Sequence, residues 1–318
     1  MEEFSVTHYP VLAKEIIDTY LDNFAQDRPL RFIDGTGGEG GHVLEVLNAF
    51  PTSEILVLDR DPIMLSRIES RIPDKKNITT KLLNYSELTS EDLKERGWEN
   101  GLADGILLDL GISTFHIIES GRGFSFRGTE PLDMRLDQSL SGRENSAADL
   151  VNNYPAKELE RIFYEFGEER WTKKIVERII EKRKNNPIES NYDLAKIVES
   201  AIPRKFWPPK SHPAFRVFQA LRIEVNQELE HLKKAVSQLP FLLNPKGIIQ
   251  IISFHSLEDR IVKHEFRNII QTKDDFRFIY KKPVLPSELE IEKNPPSRSA
   301  KLRAIQRSSD TKKYKAGK

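Results

Sequence analysis

Residues 31–47 read RFIDGTGGEGGHVLEVL. A short apolar pair, Phe32-Ile33, closes on Asp34. Gly35, Gly37, Gly38, Gly40 and Gly41 then follow within seven positions, in a chain with only 16 glycines among 318 residues. Such density marks a backbone that something must approach closely. From His42 to Leu47 the apolar spacing is helical, so the stretch reads strand, glycine turn, helix. Gly35, Gly37 and Gly40 fit G-x-G-x-x-G in the context that pattern needs. A second apolar run, Ile55 to Leu58, ends on Asp59, 19 residues past Gly40. A nucleotide-binding fold of this kind places its ribose-gripping acid there.

The pattern alone admits a dinucleotide or S-adenosylmethionine. A pyrophosphate resting on helix N-terminal amides is repelled by nearby carboxylates, and here Asp34 precedes the loop and Glu39 lies inside it. S-adenosylmethionine carries an ammonium and a sulfonium, which both carboxylates attract. The charges therefore favour the methyl donor, with a dinucleotide and a ligand-free glycine turn as the other readings.

Outward from this stretch, the spacing predicts helices over Pro10–Asp22 and from Asp61-Pro62 to about Ile72. Further strands are expected over Ile78–Leu83 and over Ile106–Leu108, ending at Asp109. Strands alternating with helices imply an α/β fold with a parallel, doubly wound sheet, and ligands in such sheets bind beyond the carboxyl ends of the strands. Gly35, Asp59, Tyr85 and Asp109 all fall at those ends. The next strand, Gly247–Phe254, begins 136 positions after Gly111, where a crossover needs only about 30 residues. The excess is helical in pattern over Ser146–Ala201 and marks an insertion. The expected division is a sheet domain over 1–135 and 214–318, with a helical insertion over 136–213. Phe215–Leu239 is expected as one helix leading back to the sheet, and Phe276–Lys281 with Leu302–Arg307 as a closing hairpin.

Composition narrows the chemistry. Hydrophobic residues make up 38% and charged residues 31%, the formal net charge is zero, and there is no cysteine. Disulfides, thiolate metal sites and a cysteine nucleophile are excluded. No apolar run approaches a membrane span, and the opening MEEFSVTHYPVL has no basic segment before an apolar core, so a cytoplasmic enzyme is expected. Charge is uneven. From Lys293 onward there are nine Lys or Arg against Asp310 alone, and Ser200–Ile223 holds five Lys or Arg and no acid, interleaved with Phe206, Trp207, Phe215 and Phe218. Both are candidate phosphate-contacting surfaces.

Three further stretches carry chemistry. Asp109-Leu110-Gly111 ends a strand beside the glycine loop, where a carboxylate can accept a hydrogen bond from a substrate amine or simply close a turn. Gly121–Arg135 (GRGFSFRGTEPLDMR) mixes Arg122, Arg127 and Arg135 with Phe124 and Phe126. That mixture suits stacking on an unpaired base, or an ordered loop with core phenylalanines and an Arg135–Asp133 pair. Ser253–Arg260 (SFHSLEDR) places His255, Ser256 and Glu258 at a strand end; no glycine elbow surrounds the serine, and Ser256 with Asp259 reads as a helix cap. The seven histidines show no metal-ligand spacing, so no metal site is expected.

DGTGGEGGH, LDRDP, DGILLDLGIS, GRGFSF, PLDMR, FGEER, HPAFRVFQALRIEVNQEL, IISFHSLEDRIVK and NPPSRSAKLR, in that order, resemble the bacterial 16S ribosomal RNA cytosine-N4 methyltransferases, the MraW or RsmH family. The resemblance covers about Pro10 to Arg307. It implies a class I methyltransferase fold, a Rossmann-like sheet whose helical insertion recognises substrate, with S-adenosylmethionine as donor and a cytidine of the small ribosomal subunit as acceptor. Carried over residue by residue, the donor is held by Gly40, Gly41, His42, Asp59, Tyr85, Asp109 and His116; the reading of the loop adds Asp34 and Gly35, and Asp109 is the expected catalytic residue, accepting a hydrogen bond from the substrate amine. Thr114-Phe115-His116 stands where the family usually carries Ser-Pro-Gln, and Tyr85 where Phe is common. The expected partner is 16S rRNA in the small subunit, without a membrane; the assembly state is open, a homodimer among the options. An exocyclic amine needs no covalent thiol adduct, consistent with a chain lacking cysteine. A nicotinamide-dependent oxidoreductase and a non-catalytic RNA-binding factor are the rival readings.

Overall fold

In the computed structural model, residues 10–72, 76–137, 146–209 and 211–309 are described. The chain divides into two units, residues 1–111 with 229–318, and residues 112–228. The first unit opens with α1 (Ala13–Leu21), β1 (Arg31–Asp34), α2 (Gly41–Ala49), β2 (Glu54–Asp59), α3 (Pro62–Arg71), β3 (Ile78–Leu82), α4 (Ser90–Glu95) and β4 (Ala103–Asp109). The second contains α5 (Thr114–Ile118), α6 (Ala147–Asn153), α7 (Ala156–Glu165), α8 (Thr172–Arg183), α9 (Asn191–Ala201) and α10 (Phe215–Asn226). The chain then resumes the first unit through α11 (Glu228–Gln238), β5 (Leu243–Ser253), α12 (Ser256–Thr272), β6 (Phe276–Phe278), α13 (Glu288–Lys293) and β7 (Lys301–Arg307).

The seven strands form one sheet in the order β3-β2-β1-β4-β5-β7-β6. From β3 to β5 the neighbours are parallel, whereas β7 runs antiparallel to both β5 and β6. The continuous apolar run of β4 has its reason here, because a parallel central strand is buried on both faces. Ile106 and Leu108 enter the core shared with α11 and α12, while Leu107 enters the core shared with α1, α2 and α3. The polar ITTKL of β3 suits an edge strand. This is the doubly wound sheet expected from the sequence; the closing strands pair antiparallel with Phe276 opposite Arg307, but β6 ends at Phe278 and α13 lies between them, so they are not a hairpin. Among the described residues no helix is long and apolar enough to cross a membrane.

The helical unit has its own core, and that core reaches beyond 136–213. Phe124, Leu132 and Met134 on one side and Val217, Phe218 and Leu221 on the other are buried in it with Leu159, Phe163 and Ile179. Segments 112–135 and 214–228, expected with the sheet, therefore fold with the helices. Asn226 ties them together. Its Oδ1 accepts from the Leu136 N–H at 2.9 Å, and its Nδ2 donates to the carbonyls of Met134 at 2.8 Å and Arg222 at 2.9 Å. The single helix expected over Phe215–Leu239 is instead two, broken at Gln227, which takes a left-handed φ of 49°. A helical amide ladder cannot pass through that conformation.

Candidate active site

The glycine stretch sits between the carboxyl ends of β1, β2 and β4, and its backbone is stitched to all three. The Gly35 N–H donates to the Leu107 carbonyl at 2.9 Å and the Gly37 N–H to that of Leu58 at 2.8 Å. A side chain at Gly37 would meet Val57 Cγ1 at 2.5 Å and Ile68 Cδ1 at 2.8 Å; one at Gly35 would strike Leu108 and crowd Tyr85. Gly38 and Gly40 have φ of 50° and 78°, which glycine adopts without strain. Gly40 is the N-cap of α2, Gly41 its first residue, and no side chain caps the helix.

The acids at the strand ends are positioned by this loop. Asp34 is 1% exposed and accepts from the Thr36 N–H at 3.0 Å. Burial pushes its carboxyl up to about 6, against the pull of the His42 charge and the Thr36 N–H. Asp59 accepts from the Gly38 N–H at 2.9 Å through Oδ2 and from the Asp61 N–H at 2.8 Å through Oδ1. The Asp109 N–H donates to the Thr36 hydroxyl at 2.7 Å, tying the end of β4 to the loop. Tyr85 follows β3 in a turn that Asn84 holds by accepting from the Ser86 N–H at 3.0 Å. Eight of the nine predicted donor residues, all but His116, thus lie around one cradle of the first unit.

Within that cradle the ring nitrogen Nε2 of His42 stands 3.3 Å from Asp109 Oδ2. Burial favours the neutral imidazole, but Asp109, with Asp34 and Glu45 behind it, outweighs that and holds the His42 pKa above its ordinary value. Asp109 Oδ1 and His42 Nδ1 are buried with no hydrogen-bond partner among the described residues. Buried polar atoms of this kind call for a partner from outside the chain. An acceptor oxygen, two further carboxylates and a glycine backbone without room for side chains fit a cationic nucleoside such as S-adenosylmethionine. They fit a pyrophosphate poorly.

Glu39 does not take part as expected. Its carboxylate lies 3.3 Å from Arg67 and 3.1 Å from Arg71, and Arg71 also donates to its carbonyl at 2.8 Å. Two guanidiniums from one face of α3 consume the charge, which leaves Asp34, Asp59 and Asp109 as the carboxylates of the cradle. The sequence held a sign of this, since positions 67 and 71 are one helical turn apart.

His116 belongs to the helical unit. It is 5% exposed, and its Nδ1 receives the Ser113 N–H at 3.1 Å, completing a capping box at the start of α5. The ring packs edge-on to Phe115 and Phe124. In the 121–135 loop Arg122, Phe124 and Arg135 follow the ordered-loop reading, whereas Phe126 is half-buried against His212, ring centroids 4.4 Å apart, and Arg127 is exposed. Arg122 is 4% exposed and donates to the carbonyls of Arg135 and Leu136, Phe124 is buried, and Arg135 pairs with Asp133 at 2.6 Å. At α12 the cap is His255 rather than Ser256, with Glu258 Oε2 accepting from the Phe254 N–H at 2.8 Å. Asp259 is engaged elsewhere, by Arg303 at 2.7 Å and Lys301 at 3.4 Å.

Those last pairs also change the reading of the basic segments. Of the five cations described over 293–307, Lys301 and Arg303 face Asp259 and Arg307 faces Asp275 at 3.2 Å, so three are neutralised within the fold. Residues 310–318 of the basic tail lie outside the described residues. Within 200–223, Arg222 pairs with Glu228 at 2.9 Å and Arg216 donates to the Glu168 carbonyl at 2.7 Å, whereas Arg204 and Lys205 are exposed.

Compared with known proteins, residues 5–308 match the MraW methylase family. The chain is 51% identical to the ribosomal RNA small subunit methyltransferase H of Leptospira borgpetersenii, covering 97% of this chain and 96% of the relative. The protein of the same name from Leptospira interrogans is 52% identical over 97% of this chain and 91% of its own length. That from Persephonella marina is 40% identical over 95% and 99%.

Proposed function

The chain belongs to the MraW methylase family, and on that premise we propose that it methylates the exocyclic N4 of a cytidine in 16S ribosomal RNA of the small subunit. S-adenosylmethionine, bound in the cradle, supplies the methyl group on an electron-poor sulfonium carbon. The observation that carries the reading is the division of labour on Asp109: Oδ2 faces His42 at 3.3 Å while Oδ1 is buried without a partner.

Asp34, Asp59 and Asp109 attract the cationic donor, and Gly35, Gly40, Gly41, His42 and Tyr85 shape the cradle it enters. Asp109 Oδ1 accepts an N–H from the cytidine amine and so turns the nitrogen lone pair onto the methyl carbon. The N–C bond forms as the C–S bond breaks, and the surplus N–H proton leaves for solvent after transfer. Catalysis is then mainly positioning in a site shielded from water. The helical unit serves substrate recognition. The ribosomal particle is the partner on which this reading rests, and a cytoplasmic location goes with it.

The test is incubation with tritiated S-adenosylmethionine and small subunits lacking their normal methylation, followed by nucleoside analysis. Label in N4-methylcytidine is expected; label in another nucleoside refutes the acceptor. Asp109→Ala should lower turnover at saturating donor by roughly 100-fold or more, the scale of losing a transition-state hydrogen bond in a dry site. Wild-type turnover in that variant sinks the role of Asp109.

A further inference from the structure

The helical unit carries an aromatic surface that the methyl-transfer site does not use. Trp171, at the start of α8, and Phe206, in the short 3-10 turn Arg204–Phe206, have ring centroids 5.1 Å apart at 43°. Phe206 is 52% exposed. Lys174 Nζ lies 5.1 Å from the Trp171 ring, Lys205 Nζ 5.1 Å from the Phe206 ring, and the Arg204 guanidinium 5.6 Å from the Trp207 ring. Among the described residues none of these three cations has a carboxylate partner. Glu169, two residues before Trp171, is buried and accepts from the Trp171 N–H at 2.8 Å.

The turn is built to hold this surface open. Pro203 precedes it with φ fixed near −57°, and Trp207 is kept extended by the following Pro208. The indole of Trp207 donates to the Ile202 carbonyl at 2.9 Å. A mobile loop would fold a phenylalanine of this size back onto apolar surface; here the bracketing prolines and the indole anchor prevent that.

Resting on the reading of the chain as an rRNA methyltransferase, we infer that Trp171 and Phe206 form a stacking platform for an unpaired base of the RNA substrate, flanked by Lys174, Arg204 and Lys205 as phosphate contacts. Base–aromatic stacking tolerates any sequence, and the cations beside the rings track the backbone of a single strand. Each ammonium resting over a ring has no anion to hold it, so it is displaced to a phosphate when a base takes the ring face. An acidic protein surface is the competing occupant; half-exposed rings presented side by side match a base better than a carboxylate.

The experiment measures binding of a fluorescent mixed-sequence 12-nucleotide RNA, single-stranded and as a duplex, to the full chain across a salt series. Phe206→Ala should weaken single-strand binding roughly 5- to 100-fold without changing the salt slope, with Phe206→Trp restoring it. Lys205→Glu should instead make the salt slope shallower by about one or more contacts. Unchanged single-strand binding in Phe206→Ala, or equal losses for strand and duplex, overturns the platform. So does loss of small-subunit binding with RNA binding intact, which assigns the surface to a protein. Wild-type methylation of small subunits is followed in parallel: its absence strikes the functional reading, whereas its presence beside unaffected Phe206→Ala binding strikes the platform alone.

Discussion

Replacing Asp34 by Asn removes a buried charge while preserving shape and the acceptor for the Thr36 N–H. The carboxyl is pushed up to about 6 in the folded chain from an ordinary 3.8. Between those values the folded state binds more protons than the unfolded one, so this group lowers stability as pH rises from about 4 through 6, and the loss is complete above that. At 1.36 kcal/mol per pH unit the full penalty is ~3 kcal/mol. Desolvating the new amide N–H₂ takes back about 1 kcal/mol, so donor-free Asp34→Asn should be stabler than wild type by ~2 kcal/mol at pH 8. At pH 5 roughly half the penalty has already developed in the wild type, and the advantage of the variant should shrink by ~1.4 kcal/mol. Urea unfolding of both proteins at the two pH values reads this difference directly. Calorimetry with S-adenosylmethionine supplies the other half. A cationic donor draws Asp34 to its charged form, so wild-type affinity falls on acidification through pH 6, and the variant binds more weakly with a flatter profile. Identical pH dependence of stability in the two proteins would refute the account of Asp34.

Two other substitutions test the scaffold. Gly37→Ala places a methyl 2.5 Å from Val57 and 2.8 Å from Ile68. This should cost about 1–3 kcal/mol in thermal or urea unfolding and weaken donor binding as the loop shifts; a neutral result would mean that the loop is loosely packed. Asn226→Ala strands the Leu136 N–H and the Met134 carbonyl in the interior of the helical unit. A loss of about 2–4 kcal/mol is expected, and a change under 0.5 kcal/mol in urea unfolding would show that water takes over these bonds.

The strand ends were legible because a parallel strand buried on both faces leaves an unbroken apolar run that stops at the polar residue closing the strand. Hence Asp34, Asp59 and Asp109 could be placed from spacing alone. Glu39 could not, since whether a loop carboxylate faces a ligand or a guanidinium depends on how α3 packs. The cap of α12 was misplaced by one residue because Ser is the commoner N-cap, whereas His255 and Glu258 close the box in the folded chain. Apolar periodicity runs on through Gln227, so the break between α10 and α11 leaves little trace in the pattern. The arginines and phenylalanines of 121–135 read alike whether displayed or buried. Only the packing of Phe124 and the carbonyls around Arg122 decide between the two.

Arg67 and Arg71 clasping Glu39 has a consequence for how this chain can vary over evolutionary time. Losing the carboxylate leaves two crowded guanidiniums beside the glycine turn; losing either guanidinium leaves the acid partly uncompensated and frees it to compete for the ligand. Positions 39, 67 and 71 therefore form one inherited unit, expected to be exchanged jointly along a lineage or not at all. The intervening residues exposed on α3 drift independently of them.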